Sequence, residues 1–305
     1  MRPALAAAWL WLLSASAVAA QAPRHAVTVS AEPAVPLKGS VAWLRVEPEP
    51  SADAPLRAVD GEAAGEPLHF TPDEGGFAAL IGVPLADADS LDLLLRLSWE
   101  GRTDTTLVAL VLAQPDHRRE RLRVAPRMAR PDSAAQARIE RELAQSREVS
   151  RRSHDTPRQW SGPFRLPRPS RITSVYGTAR EFNGEIASRH LGTDFAGAVG
   201  APVRAAGRGV VALVADFYLA GRAVYLDHGA GLVTGYFHLS RIDVAQGDTV
   251  AAGDPIGAVG RSGRVTGPHL HWIARYGTIT VDPMSLVRLT REPGPGEARV
   301  SERSP

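Results

Sequence analysis

The stretch "GRVTGPHLHW", residues 263–272, contains two histidines two positions apart, directly after a Thr-Gly-Pro turn signal. Glycine and proline favour turns, and the alternation of the residues that follow is typical of a β-strand. Side chains two residues apart in a strand point to the same face, so His269 and His271 are expected to share one surface. Two solvated strand histidines would show the same spacing, so the rest of the sequence has to show what shares their face.

Short apolar runs separated by glycine and proline surround this stretch, for example "GRGVVALVAD" and "GLVTGYFHLS". These runs lack helical periodicity, which predicts a nearly all-β domain of antiparallel strands over residues 160–290. Residues 21–125 contain a second series of short β runs between Pro, Gly and Asp, which predicts an antiparallel β-sandwich of immunoglobulin-like type. The predicted fold class is therefore mostly β, with two domains.

Residues 126–159, between the two β regions, are predicted to be a connector with one helix. The segment "PDSAAQARIERELAQSREVSRR" is rich in Ala, Glu and Arg, and Asp132 or Ser133 can cap its start. Its apolar face is thin, which predicts an exposed helix. Trp160 and Phe164, in the Pro-rich extension that follows, are expected to anchor the connector to the next domain.

The first twenty residues have the pattern of a secretory signal peptide, with Arg2 near the start, an apolar centre and small residues at the end. We therefore expect export, to a bacterial periplasm, with no stable membrane span after cleavage; an uncleaved segment kept as a membrane anchor is the alternative. The chain contains no cysteine, so neither disulfides nor a lipid-bearing cysteine is expected. Residues 291–305 have the composition of a disordered tail.

The charge of the chain gives no sign of a nucleic-acid partner. The 35 basic residues nearly balance the 33 acidic ones, so the formal net charge is +2. The basic cluster "HRRERLR", residues 117–123, could contact anionic polymers, but it is interpreted as a solvated strand edge.

A second stretch, "SRHLGTDFAG", supplies a histidine and a carboxylate at the spacing of metal ligands. His190 and Asp194 are four residues apart with Gly192 between them, and a turn can bring both side chains to one point. Imidazole nitrogen and carboxylate oxygen are normal zinc ligands, and one histidine of "HLH" would complete a three-ligand set with a position left for water. That ligand count is typical of a catalytic zinc site rather than a structural one.

A third stretch, "GYFHLS", places Tyr236 and His238 two residues apart, so they are expected to share a strand face. A histidine beside the metal that does not bind it could accept a proton from an attacking water. The three stretches together indicate hydrolysis of an amide bond.

Their sequences resemble the LytM/lysostaphin-type zinc endopeptidases, which cut peptide cross-links in bacterial peptidoglycan. The resemblance covers about residues 160–289. It implies one Zn²⁺ ion bound by three side chains: His190, Asp194 and His271. It also implies two catalytic histidines, His238 and His269, with Tyr236 as a candidate that assists in the transition state. The implied partners are the peptide stems and cross-links of peptidoglycan.

Three alternative functions fit parts of the sequence. Degenerate relatives of this family activate cell-wall amidases after losing zinc ligands, but all five histidine and aspartate positions are present here. A biotinyl- or lipoyl-type carrier would need a lysine within "VAQGDTVAAGDPIGAVG", and the only lysine is Lys38. A binding or positioning role for the sandwich, with unknown protein partners, stays open.

Two further polar residues are assigned less direct roles. His228 in "LDHGAG" is expected to be structural, at a hairpin tip. Asn183 precedes His190 and either lines the substrate groove or adopts a left-handed turn. The sequence does not choose between His238 and His269 as the general base.

Overall fold

Two four-stranded antiparallel sheets form the N-terminal domain. The computed structural model describes residues 27–116, 118–184 and 186–289, so the predicted signal peptide and tail lie outside the described residues. The eight strands are β1 (Val27–Glu32), β2 (Val41–Pro48), β3 (Leu56–Ala63), β4 (Glu66–Leu68), β5 (Thr71–Asp73), β6 (Gly76–Gly82), β7 (Ser90–Trp99) and β8 (Arg102–Val111). The sheets are ordered β1-β2-β6-β5 and β4-β3-β7-β8.

The two sheets pack against each other through alternating side chains. Strand β7 alternates exposed and buried residues along its length, so one face of its sheet is turned to the core. Trp43 and Leu44 of the first sheet lie in one buried cluster with Leu93 and Leu95 of the second. The predicted antiparallel β architecture is confirmed here, whereas the immunoglobulin-like assignment stays a prediction.

The connector contains β9 (Arg119–Leu122), α1 (Pro126–Ala129) and α2 (Ser133–Arg152), followed by a 3-10 turn at Ser153–Asp155. As expected, Asp132 caps α2 by accepting a hydrogen bond from the Ala135 amide. The helix packs along the C-terminal domain, because Ile139 is buried and Arg138 donates to the Asp216 carbonyl oxygen at 2.8 Å. Within the described ranges, no helix is both long and apolar enough to cross a membrane.

Twelve strands and one short helix make up the C-terminal domain. They are β10 (Ile172–Ser174), β11 (Ala179–Phe182), β12 (Ile186–Arg189), β13 (Thr193–Ala196), β14 (Pro202–Arg204), β15 (Gly209–Phe217), β16 (Gly221–Gly229), β17 (Leu232–Ile242), β18 (Thr249–Val250), β19 (Pro255–Val259), β20 (His269–Tyr276), β21 (Ile279–Val281) and α3 (Pro283–Arg288). The main sheet runs β10-β13-β20-β17-β16-β15-β18. Strand β19 pairs with β14 and β17, and β21 pairs with β20.

Strand β9 belongs to a small sheet of the C-terminal domain, ordered β12-β11-β9, and not to the sandwich. It pairs in parallel with β11 over four residues. The sandwich strands end at Val111, and the chain then crosses to the next domain. The solvated strand edge expected for the basic cluster is observed, because β9 is an edge strand with Arg119 and Arg121 exposed. Residue 117 lies outside the described residues.

Strands β16 and β17 form the centre of the large sheet and are buried over most of their length. Both faces of the sheet are covered, which explains why these sequences are nearly continuous apolar runs and not alternating ones. One face contributes Tyr236 and Trp272 to the main core. The other contributes Tyr225 and Phe237 to a second cluster, against which Val149 of α2 packs.

The core continues from one domain into the other. The Trp43 ring lies 5.9 Å from the Trp160 ring, which in turn lies 5.3 Å from Phe164, so Trp160 packs against the sandwich. Phe164 contacts His228 of β16 at 4.9 Å between ring centroids, which is the expected anchoring to the C-terminal domain. The Tyr276 hydroxyl donates a hydrogen bond to the carbonyl oxygen of Pro67 at 2.7 Å. Apolar and polar contacts therefore hold the sandwich against the C-terminal domain.

Candidate active site

The side chains of His190, Asp194 and His271, here called the metal triad, converge on one point at the edge of the large sheet. Asp194 Oδ1 lies 3.0 Å from His190 Nε2 and 2.7 Å from His271 Nδ1. The two imidazole nitrogens are 2.9 Å apart. All three potential ligand atoms lie within 4.8 Å of one another, which is close enough for them to share one ion.

Strand pairing and one glycine bring the triad together. Asp194 on β13 and His271 on β20 are direct cross-strand partners, and His190 lies just before β13. A Cβ atom at Gly192 would lie 2.5 Å from Cε1 of His271, so only glycine leaves room for the imidazole ring. The glycine in "HLGTD" thus has a steric role in addition to the turn expected from the sequence.

The His190 nitrogen that faces away from the triad, Nδ1, contacts two residues near the start of the C-terminal domain. His190 Nδ1 lies 3.0 Å from the Val175 carbonyl oxygen and 3.1 Å from the Ser174 hydroxyl oxygen. Donation from Nδ1–H to a carbonyl leaves the Nε2 lone pair directed at the triad, as is usual for metal-binding histidines. His190 is therefore fixed in the tautomer that a metal requires.

Asp194 is fixed on its other oxygen by Arg180, which donates to Oδ2 at 2.6 Å. Burial by itself raises the pKa of the Asp194 carboxyl, but its contacts with the His190 and His271 imidazoles hold it well below its usual range. Burial lowers the pKa of His271 to about 4. Asp194 is therefore preset as a carboxylate and His271 as a neutral imidazole, the protonation states that divalent metals bind.

His238 and His269 lie beside the triad and face each other, with ring centroids 4.9 Å apart. Each is oriented by a main-chain oxygen: His238 Nδ1 is 2.8 Å from the Ser262 carbonyl, and His269 Nδ1 is 2.8 Å from the Gly267 carbonyl. His269 Nε2 is 3.7 Å from Asp194 Oδ1. Burial, followed by the charges of His271 and His269, lowers the pKa of His238 well below its usual value, which favours an unprotonated ring.

Tyr236 does not reach this group, and the expectation that it shares a face with His238 is wrong. A β-bulge interrupts the pairing of β17 with β16 at this point, and His238 has a φ of 63°, so the two-residue alternation is broken. The Tyr236 hydroxyl accepts a hydrogen bond from the Ala206 amide and is bonded to the Thr234 hydroxyl. Burial raises the pKa of Tyr236 to about 12, as expected for a phenol in the core.

The triad opens into a groove of about 620 Å³ between the large sheet, α2 and the β9 connector. Its wall carries apolar side chains and several guanidinium groups. Arg264 lies over the Phe182 ring at 4.4 Å, and burial followed by the charge of Arg180 lowers its pKa. A partly desolvated cation on the wall of a groove is suited to contact an anionic group of a ligand.

His228 and Asn183 both have structural positions. His228 is fully buried, with its ring nitrogens 2.7 Å from the Arg208 carbonyl and 2.8 Å from the Thr234 hydroxyl. Asn183 adopts a left-handed conformation, with φ of 54°, and its side chain bonds both main-chain polar groups of Val124. The left-handed turn, one of the two interpretations left open by the sequence, is therefore the one observed.

The donor set suits a zinc ion. Two imidazole nitrogens and one carboxylate oxygen converge, the histidine tautomer is fixed, and a groove reaches the ligands from one side. Sequence reasoning missed Ser174 and Arg180, which hold the ligands from behind. Neither has a characteristic spacing from the triad, because tertiary folding alone brings them to it.

A groove that contains a His-Asp-His ligand set and two unligated imidazoles is typical of metallopeptidases. Residues 188–283 match the model of Peptidase family M23, which identifies an M23 peptidase domain in this part of the chain. The resemblance stated from the sequence motifs is therefore confirmed.

Two curated proteins are similar to about a quarter to a third of the chain. Peptidoglycan DD-endopeptidase ShyA of Vibrio cholerae is 48% identical over 83 residues, which is 27% of this chain and 19% of that protein. DD-carboxypeptidase/endopeptidase Mpg of Neisseria meningitidis is 44% identical over 103 residues, which is 34% of this chain and 24% of that protein. The matched region thus spans about a fifth to a quarter of these relatives.

One solved structure extends the similarity beyond the C-terminal domain. A candidate M23 peptidase from Pseudomonas aeruginosa aligns with 83% of this chain and 95% of its own, at 26% identity and a TM-score of 0.55. This coverage includes strands of the sandwich as well as the domain that contains the metal triad.

Proposed function

We propose that the protein is an exported, zinc-dependent endopeptidase that hydrolyses peptide cross-links of bacterial peptidoglycan. The observation that carries the proposal is the convergence of the metal triad with His238 and His269 at one end of a groove. Two relatives named for peptidoglycan or DD-peptidase activity support the substrate class.

The residues of the site have two roles, metal binding and proton transfer. His190, Asp194 and His271 would hold the zinc ion, which supplies Lewis acidity that polarises a carbonyl and lowers the pKa of water. With their Nδ1 atoms bound to carbonyl oxygens, His238 and His269 direct Nε2 into the groove. One imidazole accepts a proton from the attacking water, and the pair stabilises the oxyanion and returns a proton to the leaving amine.

The groove fits an extended peptide that carries negative charge. Stem peptides of bacterial walls contain free carboxylates, and the groove wall presents Arg264 beside the loop that leads to His269. A carboxylate on the substrate would form a charge-assisted hydrogen bond with this guanidinium and hold the peptide in register. Tyr236 is not part of the proposed machinery, because its hydroxyl is bonded within the core.

Export follows from the predicted signal peptide at residues 1–20 and from the location of the substrate. The proposed compartment is the bacterial periplasm. Fractionation of cells that express the full chain should recover the protein, shortened at its N-terminus, in the periplasmic fraction.

Digestion of purified cell walls tests the proposed activity most directly. The zinc-loaded protein should release fragments whose masses identify the cross-link that is cut, and His271→Ala should release none. A protein that releases nothing alone but stimulates a purified cell-wall amidase would instead be an activator, and the endopeptidase proposal would be wrong.

A further inference from the structure

The metal triad is supported by a strand from outside the matched domain. Strand β9 lies in the connector, and it adds to the edge of the β11–β12 hairpin as a parallel strand. Beyond the strand, Asn183 bonds both the amide and the carbonyl of Val124 at 3.0 and 3.1 Å. The Ala179 amide donates to the Arg118 carbonyl at the other end. Hydrogen bonds to the C-terminal domain therefore hold the connector on both sides of β9.

Glu120, in the middle of β9, contacts the two groups that stand directly behind the metal triad. Its Oε2 atom lies 3.3 Å from Arg180 Nε and accepts a hydrogen bond from the Ser174 hydroxyl at 3.1 Å. Arg180 holds Asp194, and Ser174 contacts His190. One carboxylate is thus linked, through one intermediate residue each, to two of the three ligands.

The charge balance gives Glu120 a role beyond packing. Asp194 and Arg180 are largely buried, with 8% and 15% of their side chains exposed, and their charges cancel. Glu120, with 27% of its side chain exposed, restores a net negative charge to the group. Without it, a divalent cation would approach a carboxylate already neutralised by a guanidinium, which weakens the attraction.

We propose that Glu120 is a positioning residue of the metal centre, through which the connector completes the site and raises its affinity for zinc. The inference rests on the proposed zinc site. It concerns a residue 68 positions before the matched region, on a connector strand that the family match does not include.

The zinc affinity of the full-length protein tests this role. Competition with a chromogenic chelator should show about tenfold weaker zinc binding for Glu120→Ala, the size of effect usual for groups that orient metal ligands. Glu120→Gln keeps an acceptor for Ser174 but removes the charge, and its affinity should lie between those of the wild type and Glu120→Ala.

Glu181→Gln is the matched control. Glu181 lies on β11, the strand that pairs with β9. Its carboxylate is 3.6 Å from the exposed Arg121 and faces away from the triad. This variant should bind zinc as the wild type does. Metal-free thermal unfolding of each variant shows whether the fold is kept.

Wild-type affinity in both folded Glu120 variants would overturn the inference while leaving the proposed function intact. An equal loss of affinity in Glu181→Gln would also overturn it, because the effect would then belong to the strand pair and not to Glu120. A wild-type protein that binds no zinc would overturn both the inference and the proposed function.

Discussion

Asp194 and His271 face each other directly across β13 and β20, with Oδ1 and Nδ1 only 2.7 Å apart. Main-chain pairing therefore sets the separation of two ligands before any ion is bound. Since both strands belong to the large sheet, the site rests on a rigid element, and only His190 comes from a connecting segment.

The two histidines of "HLH" should have separable roles. His271→Ala should lose zinc and activity together, because it removes a ligand of the triad. His269→Ala should retain zinc but lose turnover by about 10²- to 10⁴-fold, the usual contribution of a group that transfers protons. Metal content by elemental analysis and wall digestion by mass spectrometry measure the two effects. Full activity in His269→Ala would refute its assigned role.

Gly192→Ala should weaken zinc binding, by about tenfold or more, because its Cβ would displace the His271 ring. Gly82→Ala provides a matched comparison, since its Cβ would crowd Tyr276 at 2.7 Å, far from the triad. The second variant should lower the melting temperature, by overpacking, without changing zinc affinity. Chelator competition and thermal unfolding distinguish the two. Unaltered zinc binding in a folded Gly192→Ala protein would contradict the steric role.

Arg264→Gln should raise the KM for an anionic cross-linked muropeptide by about tenfold, the value of one charge-assisted hydrogen bond. The kcat should change little, because the contact is made in the ground state and the transition state alike. Arg241→Gln removes an exposed arginine that pairs with Asp243, and its kinetics should match the wild type. A loss confined to kcat in Arg264→Gln would show that Arg264 acts on the chemical step instead.

His228 should make the fold sensitive to acid. Burial lowers its pKa to about 4 in the folded state, below the value of 6.5 that the unfolded chain keeps. The unfolded state therefore binds a proton first, so stability is complete above pH 6.5 and falls as the pH approaches 4, by about 3 kcal/mol at most. Urea unfolding with chelator present, at pH 7 and pH 4.5, measures the loss. His228→Gln should show a smaller difference between the two pH values, and an identical difference would exclude His228 as the source.

The sequence was most informative where the ligands lie close together along the chain. The H-x-x-x-D spacing of His190 and Asp194, and the two-residue spacing of "HLH", both depend on local geometry that strands and turns preserve. The alternation rule gave a wrong result for Tyr236 because a bulge and one left-handed residue shifted the face, and neither feature has a signature in "GYFHLS".

The contacts between residues distant in the chain could not be predicted from the sequence, for a different reason. Arg180 and Ser174 lie 14 and 20 residues before Asp194, and their contacts with the triad are made only when β10, β11 and β13 have assembled. The path of residues 119–122 was likewise ambiguous, because a short basic strand can pair with either domain. Its side chains are only partly buried, so hydrophobic pattern gives it no preference.

The packing of Trp43 against Trp160 and the hydrogen bond from Tyr276 to Pro67 connect the two domains. Separating the two domains would expose indole rings to water and break the Tyr276–Pro67 hydrogen bond, so a hinge motion at this junction is disfavoured. Replacing the sandwich with an unrelated domain would remove the contacts of Trp160 and Tyr276, and so would also destabilise the C-terminal domain.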